Sequence, residues 1–229
     1  MQYRPEIDGL RALAVVPVVL FHLGYGFISA GYYGVDVFFV ISGYLITKIL
    51  ANNIEEDTFS MFDFWIRRVK RLLPALLTVL LATLIIIPFL IFKPVVKAVV
   101  SDVFPAMFSY FNFHALWDFG NYWGAKSNNS FFLHVWSLSV EEQFYILYPL
   151  FLFLSFKYFK GYLWPILFIT LCSFLIFAFK LGENREFTFY MLPTRIWELS
   201  LGGLVSLINI DKMRRPLVSS SLAILGMLL

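Results

Sequence analysis

Long apolar stretches recur along the whole chain of 229 residues and limit its fold more than any other feature. A membrane-spanning helix needs about 20 mostly apolar residues, because the hydrocarbon core is about 30 Å thick and each helical residue rises about 1.5 Å. The composition agrees, since only 14% of the residues are charged and 60% are hydrophobic, whereas soluble domains have about 25% charged residues. We therefore predict an all-α, polytopic integral membrane helix bundle and not a disordered or coiled-coil chain.

Several stretches are long and apolar enough to be read as spans. The predicted spans are Leu10–Phe27, Tyr33–Leu50, Leu72–Phe92, Val99–Leu116, Leu138–Phe156, Tyr162–Phe179, Tyr190–Ile208 and a segment that starts at Leu217. The bundle is thus expected to have about seven to eight hydrophobic segments. The last segment is too short to span alone, so we expect residues 1–229 to form one transmembrane domain that is truncated at its C-terminus.

The distribution of Lys and Arg predicts how the chain is oriented, because these residues favour the cytoplasmic side. Arg4 and Arg11 flank the first span and further basic residues follow the second, which places the N-terminus inside. The cytoplasmic excess is larger if Val99–Leu116 does not cross. This segment also contains Asp102 and His114, which are costly in lipid but tolerable in a re-entrant or interfacial segment. We prefer that topology to one in which every segment crosses.

Two ionisable side chains lie in the predicted spans on either side of the first loop. His22 follows Arg11 by eleven residues, so both share one helical face about 16 Å apart along the axis. Asp36 opens the second span, at a depth similar to that of His22 if the two spans form a hairpin. An Asp beside a His can hold the imidazole in one tautomer, which prepares a general base. The alternatives are a histidine bonded to a carbonyl and an aspartate that caps the second helix.

A basic run that contains Arg67, Arg68, Lys70 and Arg71 follows the second span. Arg67 and Arg71 are four residues apart and share a helical face, which suits the binding of a phosphorylated ligand from the cytoplasm. The same run is typical of a positive-inside signal or of a contact with anionic membrane lipid.

Polar residues also interrupt the apolar pattern of His134–Phe144. Ser139 and Glu142 fit a capping box at the start of an apolar helix. That interpretation leaves Glu141 and Gln143 unexplained, because successive side chains on a helix point in different directions. We therefore expect at least one of them to face a protein interior or an aqueous cavity.

The remaining polar residues predict no further site. Arg195 and Glu198 carry opposite charges three residues apart, which indicates a structural pair. His114 and His134 have no convincing partners, and the single cysteine, Cys172, excludes a cysteine-based metal site, so no metal is expected. The formal charge of +3 comes from basic residues between apolar runs, and nucleic acid is therefore not an expected partner.

Four motifs, taken in order, resemble those of the acyltransferase 3 family of bacterial membrane O-acyltransferases. The motifs are Glu6–Ala12 with His22, Gly34–Ile46, Arg67-Arg68 with Arg71 and Pro74, and Trp136–Tyr145. The segment Arg195–Gly202 extends the resemblance. Together the four motifs are much more specific than any one of them.

The resemblance implies transfer of an acyl group, usually acetyl, from cytoplasmic acyl-CoA to a hydroxyl of an extracytoplasmic glycan. That glycan would be the O-antigen of lipopolysaccharide, another surface polysaccharide or peptidoglycan, and the protein would lie in the bacterial cytoplasmic (inner) membrane. Some relatives carry an esterase-like extracytoplasmic domain, which we do not expect in these residues. A rival prediction is a transporter or glycan flippase that uses the same buried charges to relay protons or bind substrate.

The resemblance also implies roles for individual residues. His22 would be the general base or acyl relay, oriented by Asp36, with Arg11 lining the same face. Glu141 would be a second acid or base. The phosphates of the donor, acetyl-CoA, would be bound from inside by three arginines: Arg67, Arg68 and Arg71.

Overall fold

The computed structural model describes residues 5–23, 30–90, 93–122, 124, 127 and 130–208, and these residues contain helices but no strand. The α-helices among them are α1 (Pro5–His22), α2 (Gly34–Glu55), α3 (Met61–Leu90), α4 (Lys93–Met107), α5 (Phe111–His114), α6 (Val135–Phe159), α7 (Leu163–Leu181), α8 (Arg185–Tyr190) and α9 (Ile196–Ser206). Short 3₁₀ segments precede α2 and α9, at Gly31–Tyr33 and Leu192–Thr194. For the described residues, the all-α prediction is confirmed.

Three helical segments are long and apolar enough to cross a membrane: Gly31–Glu55, Met61–Leu90 and Leu163–Leu181. They correspond to the second, third and sixth predicted spans. The count of about seven to eight segments is not confirmed within the described residues, because α1 carries three charged side chains and α9 has only 11 residues. The segment that starts at Leu217 lies outside the described residues.

Two of the predicted spans are broken helices. Tyr190–Ile208 is interrupted by a 3₁₀ segment around Pro193, since proline cannot donate the backbone hydrogen bond that a continuous helix needs. Val99–Leu116 is divided between α4 and α5 by a turn at Ser109, which has the positive φ of 55°. In Val99–Leu116, the segment whose polar residues made it a poor span, the break lies at one of those residues, Ser109.

Helices α2 and α9 run parallel, since Asp36 contacts Arg195 where they start and Thr47 lies beside Gly203 further along. They pack at unusually short range because glycines face the contact. A Cβ on Gly43 would lie 1.7 Å from the carbonyl oxygen of Leu199, and a Cβ on Gly202 would lie 1.9 Å from that of Val40. Such distances are possible only for residues that have no side chain at the contact. The two helices thereby fix Asp36 beside the first residues of α9.

The directions of the helices place several termini at one end of the bundle. Helix α1 is antiparallel to α2, since Gly34 packs against the carbonyl of Ala14 and Arg11 lies over the ring of Phe38. Helix α6 is parallel to α2, since the Thr47 hydroxyl lies 2.8 Å from that of Tyr148 and the rings of Phe39 and Trp136 meet edge to face. Thus α1 ends, and α2, α6 and α9 begin, at the same end, which we call the cavity end.

Helices α4 and α5 form a hairpin that enters the bundle from the cavity end and returns to it. Helix α3 is antiparallel to α6, since the indole of Trp65 donates to the carbonyl of Tyr145 at 3.1 Å and Phe59, just before α3, stacks on Phe153. Helix α4 therefore starts near the cavity end. The turn reaches Gln143, whose amide donates to the Ser109 carbonyl at 2.9 Å. This contact lies about 12 Å along α6 from its first residue. The two ends of the hairpin therefore lie at the same end of the bundle, while the re-entrant path through a membrane stays a prediction.

Candidate active site

A cavity of about 410 Å³ opens at the cavity end between α1, α2, α6, α7 and α9. Aromatic rings make up most of its wall: Tyr32, Tyr33, Tyr122, Trp136, Phe174, Phe177, Phe189 and Trp197. Its ionisable side chains are His22, Asp36, Arg195 and Glu198. A mostly aromatic cavity with a few convergent polar groups is the usual form of a small-molecule site.

His22 is the last residue of α1, and its two ring nitrogens have different partners. Nδ1 lies 2.8 Å from the carbonyl oxygen of Val18, and Nε2 lies 2.8 Å from the hydroxyl of Tyr122. A carbonyl can only accept, so Nδ1 carries the proton. Burial raises the pKa of Tyr122 to about 12, so its phenol stays protonated at neutral pH and donates to Nε2. These hydrogen bonds assign Nε2 as the basic nitrogen.

Asp36 shares the cavity with His22 but is bonded elsewhere. Its Oδ1 lies 3.1 Å from Nη1 of Arg195, and no side-chain bond caps α2. The prediction that Asp36 sets the tautomer of His22 is therefore wrong, because the Val18 carbonyl does so. The predicted proximity of the two residues in one site is confirmed.

Arg195 and Glu198 are part of the cavity, which the sequence analysis did not anticipate. The predicted pair exists, since Nη1 of Arg195 donates to Oε1 of Glu198 at 2.5 Å. However, the Glu198 residue is only 1% exposed, and the same guanidinium nitrogen also holds Asp36. An ion pair that is buried at a cavity and not on a helix surface is a functional candidate.

Tyr122 and Trp136 were also missed as site residues. Trp136 is buried at the start of α6 and contacts Tyr122, with ring centroids 6.5 Å apart. It also contacts Phe189, at 4.6 Å. Nothing in the apolar pattern marks Tyr122, because it lies in a connection and meets His22 across 100 residues of sequence.

Two predicted catalytic residues do not line the cavity. Arg11 lies three turns before His22 on α1, where it pairs with Asp8 at 3.9 Å and lies over the ring of Phe38. Glu141 is buried in α6 and accepts a hydrogen bond from the hydroxyl of Tyr145. Its expected burial is confirmed, while a role as second acid or base stays a prediction.

The capping-box interpretation of Ser139 and Glu142 is wrong. Helix α6 begins at Val135, so both residues lie inside it. The Ser139 hydroxyl instead accepts the backbone N–H of Phe111 at 3.1 Å, which ties α5 to α6. One carboxylate oxygen of Glu142 is buried without a hydrogen-bond partner among the described residues.

The three predicted donor-binding arginines lie within α3 but differ in their surroundings. Arg67 and Arg71 are exposed, and their spacing places them on one helical face. Arg68 instead faces the bundle, with its guanidinium carbon 4.8 Å from the ring centroid of Tyr145 and 5.5 Å from that of Phe64. The exposed pair is therefore free to hold an anion in a way that Arg68 is not.

His114 has partners that were not predicted. Nε2 lies 2.8 Å from Asp102 and Nδ1 lies 2.5 Å from Asp118. The second oxygen of Asp102 accepts from the Ser130 hydroxyl at 2.6 Å. These bonds hold together the returning chain that carries Tyr122 to the cavity. The described residues contain no group of three His, Cys, Asp or Glu that could hold a metal.

Comparison with known proteins places the chain among membrane-associated enzymes of one kind. The sequence profile described as "Acyltransferase domain" matches residues 4–229. "Putative peptidoglycan O-acetyltransferase YrhL" of Bacillus subtilis (strain 168) is 34% identical over 213 residues, which cover 90% of this chain and 33% of that protein.

"O-acetyltransferase OatA" of Staphylococcus aureus (strain NCTC 8325 / PS 47) is also 34% identical, over 222 residues that cover 90% of this chain and 35% of that protein. The chain thus spans about a third of the length of these curated relatives. No solved structure matches the chain.

Proposed function

Because the chain belongs to the acyltransferase 3 family, we propose that it is the membrane part of an O-acyltransferase. The acyl group, acetyl in the first instance, would pass from acetyl-CoA in the cytoplasm to a hydroxyl of a cell-surface glycan. The Bacillus subtilis relative is named a putative peptidoglycan O-acetyltransferase, which favours peptidoglycan over lipopolysaccharide or another polysaccharide as the acceptor. The protein would lie in the bacterial cytoplasmic membrane with its N-terminus inside. Nothing in the comparisons supports the transporter or flippase alternative.

The observation that carries this proposal is the state of His22. Its Nδ1 is committed to a carbonyl of its own helix, and its Nε2 receives a hydroxyl hydrogen within an aromatic cavity. An acceptor hydroxyl that takes the place of the Tyr122 hydroxyl is in position to lose its proton to Nε2. That arrangement is what general-base activation of an alcohol requires.

The acceptor would be held by the aromatic wall of the cavity. Trp136, Phe189 and Trp197 offer ring faces on which the apolar faces of a sugar ring can pack, while Asp36 is partly exposed and can accept a hydroxyl hydrogen. This combination suits a neutral polyhydroxyl acceptor better than an anionic one, because the cavity contains two carboxylates and one guanidinium.

The donor would be held by the exposed arginines of α3. Arg67 and Arg71 are both exposed and share one helical face, so both can donate to phosphate groups. Arg68, their neighbour, lies against Tyr145, which is nine residues from Trp136 at the cavity and so about 14 Å away along α6. A thioester at the end of a long flexible arm can cover that distance while its phosphates stay at the arginines.

The variant His22→Gln tests the proposal. We expect acetyl transfer to surface glycans to fall by about 10²–10⁴-fold, the usual effect of removing a general base, while membrane insertion and the unfolding temperature stay unchanged. Lys157, which is exposed in the last turn of α6 away from the cavity, provides the control, since Lys157→Gln should leave transfer intact. Both are measured in the full-length protein, with alkali-labile acetate on the glycans as the readout. Normal transfer by a well-inserted His22→Gln protein would refute the proposal.

A further inference from the structure

Arg195 is held by three hydrogen bonds and two ring contacts at the wall of the cavity. Its Nε donates to the carbonyl of Phe189 at 3.0 Å. Its Nη1 donates to Asp36 at 3.1 Å and to Glu198 at 2.5 Å. The guanidinium also lies over the rings of Trp136 and Phe189, 5.8 and 5.2 Å from their centroids. A guanidinium is planar, so these contacts fix its orientation completely.

The contacts leave one nitrogen of Arg195 available. Nε and Nη1 have acceptors, whereas no hydrogen bond joins Nη2 to any acceptor in the part of the chain that the structure describes. Arg195 is also the only Lys or Arg among the cavity-lining residues, all of which are described. A fixed cationic donor thus shares the cavity with the basic nitrogen of His22.

The charge balance around Arg195 argues against binding of a stable anion. Asp36 and Glu198 both contact the guanidinium, so its charge already has a counter-charge before a ligand enters. A phosphate group would meet those two carboxylates, unlike at the exposed Arg67 and Arg71. The guanidinium of Arg195 is pre-oriented and partly buried. It can therefore stabilise negative charge that develops on a neutral ligand during the reaction.

We propose that Arg195 is a catalytic residue, whose Nη2 donates a hydrogen bond to the carbonyl oxygen of the acyl group. This inference rests on the proposed acyl transfer. As His22 Nε2 takes the acceptor's proton, the acceptor oxygen bonds to the thioester carbon and the carbonyl oxygen becomes an oxyanion beside Arg195. The intermediate then collapses, the carbon–sulfur bond breaks, and the thiolate receives the proton from the imidazolium. The products are an ester and a thiol, and His22 is neutral again.

Arg195→Ala in the full-length protein tests this role, with thiol release from acetyl-CoA in membranes as the readout. We expect kcat to fall by about 10²–10³-fold, as for other oxyanion donors, while KM for acetyl-CoA changes little. Added methylguanidine should restore part of kcat, because it can enter the vacated space and supply a donor. Arg185, which is exposed on α8, gives the control, since Arg185→Ala should keep normal kcat.

A second variant guards against loss of the fold. If Arg195→Ala does not insert or unfolds early, Arg195→Lys keeps a positive charge but lacks the planar fork, and we expect its kcat to fall at least about 10-fold. The inference is overturned if kcat stays normal in whichever variant folds, if only KM changes, or if methylguanidine fails to restore Arg195→Ala. Measured in parallel, methylguanidine should not restore His22→Gln. A fully active His22→Gln would instead refute the proposed function itself.

Discussion

Arg68 and Arg71 are three residues apart in one basic run, yet their environments suit different tasks. The guanidinium of Arg68 lies over the rings of Tyr145 and Phe64, and Glu141 and Glu142 are close enough to act on it electrostatically. Arg71 is exposed. Cation–π contacts of a partly desolvated arginine contribute about 0.5–2 kcal/mol. Arg68 is therefore a positioning residue that joins α3 to α6, whereas Arg71 can meet a ligand.

The two arginines should respond differently to removal. We expect Arg71→Ala to raise KM for acetyl-CoA about 10-fold, the usual value of one lost charged hydrogen bond, with an unchanged unfolding temperature. Arg68→Ala should lower the unfolding temperature in detergent, since it removes the α3–α6 contact. Steady-state kinetics and thermal unfolding on both variants check this. Equal effects of the two variants on KM would show that the arginines act as one donor site.

Single residues of the cavity were predictable only where their chemistry is unusual for their segment. His22 and Asp36 were found because ionisable side chains are rare in apolar stretches. Arg195 and Glu198 carried the same signal, but three-residue spacing on one helix favoured a pair that neutralises itself. Tyr122 gave no signal, since a tyrosine is ordinary in an aromatic-rich sequence and its contact with His22 is set by the fold.

The contact between α2 and α9 decides where the cavity forms. Gly43 and Gly202 let the two helices approach until backbone meets backbone, and this approach brings Asp36 within bonding distance of Arg195. Glycine in a helix costs about 1 kcal/mol relative to alanine, so close packing must outweigh that preference here. The glycines thus help to position the site, although they lie further along α2 and α9 than the residues that line the cavity.

Alanine at these glycines should therefore destabilise the protein despite its better helix propensity. We expect Gly43→Ala and Gly202→Ala each to cost about 1–3 kcal/mol, the usual cost of overpacking, and to lower acyl transfer because Asp36 separates from Arg195. Gly9 on α1 is the control, since a Cβ there would meet nothing within 4 Å. Thermal unfolding in detergent measures the difference. A Gly43→Ala protein as stable as Gly9→Ala would contradict this account of the packing.

The sequence predicted which segments are helical, but it did not predict where the helices end or break. Hydrophobic length located α2, α3, α6 and α7, because apolar stretches of that length are nearly always helical in a membrane. The same criterion extended Tyr190–Ile208 across Pro193. It also placed the start of α3 at Leu72, because charged residues are costly in lipid, although the helix continues through the basic run to Met61.

At the scale of the whole molecule, the helix directions relate the side of the N-terminus to that of the cavity: with the proposed cytoplasmic N-terminus, the cavity would open outward. Helix α3 ends, and α6 begins, at the cavity end, so an even number of crossings separates them. The hairpin of α4 and α5 satisfies this condition without crossing. A membrane-spanning α4 would reverse α6 and separate Trp136 from His22.

Cysteine labelling tests this topology. In a Cys172→Ser background, we expect a membrane-impermeant maleimide to label Lys97→Cys and Asp118→Cys from outside, because both residues are exposed on the same side of the hairpin. Lys157→Cys, in the last turn of α6, should react only after the membrane is permeabilised. Labelling of Lys97→Cys and Asp118→Cys from opposite sides would show that the segment crosses, and outside labelling of Lys157→Cys would reverse the orientation.

The hydrogen bond between Tyr122 and His22 bears on how such an enzyme limits hydrolysis of its acyl donor. An activated acyl group is also open to attack by water, which is far more concentrated than any sugar. While the phenol of Tyr122 is bonded to Nε2 of His22, that nitrogen cannot accept a proton from an entering water molecule. A carbohydrate that packs on the aromatic rings of the cavity gains binding free energy and can displace the phenol, whereas water gains none from those rings. The resting enzyme would thus protect its acyl donor from hydrolysis until a glycan acceptor binds.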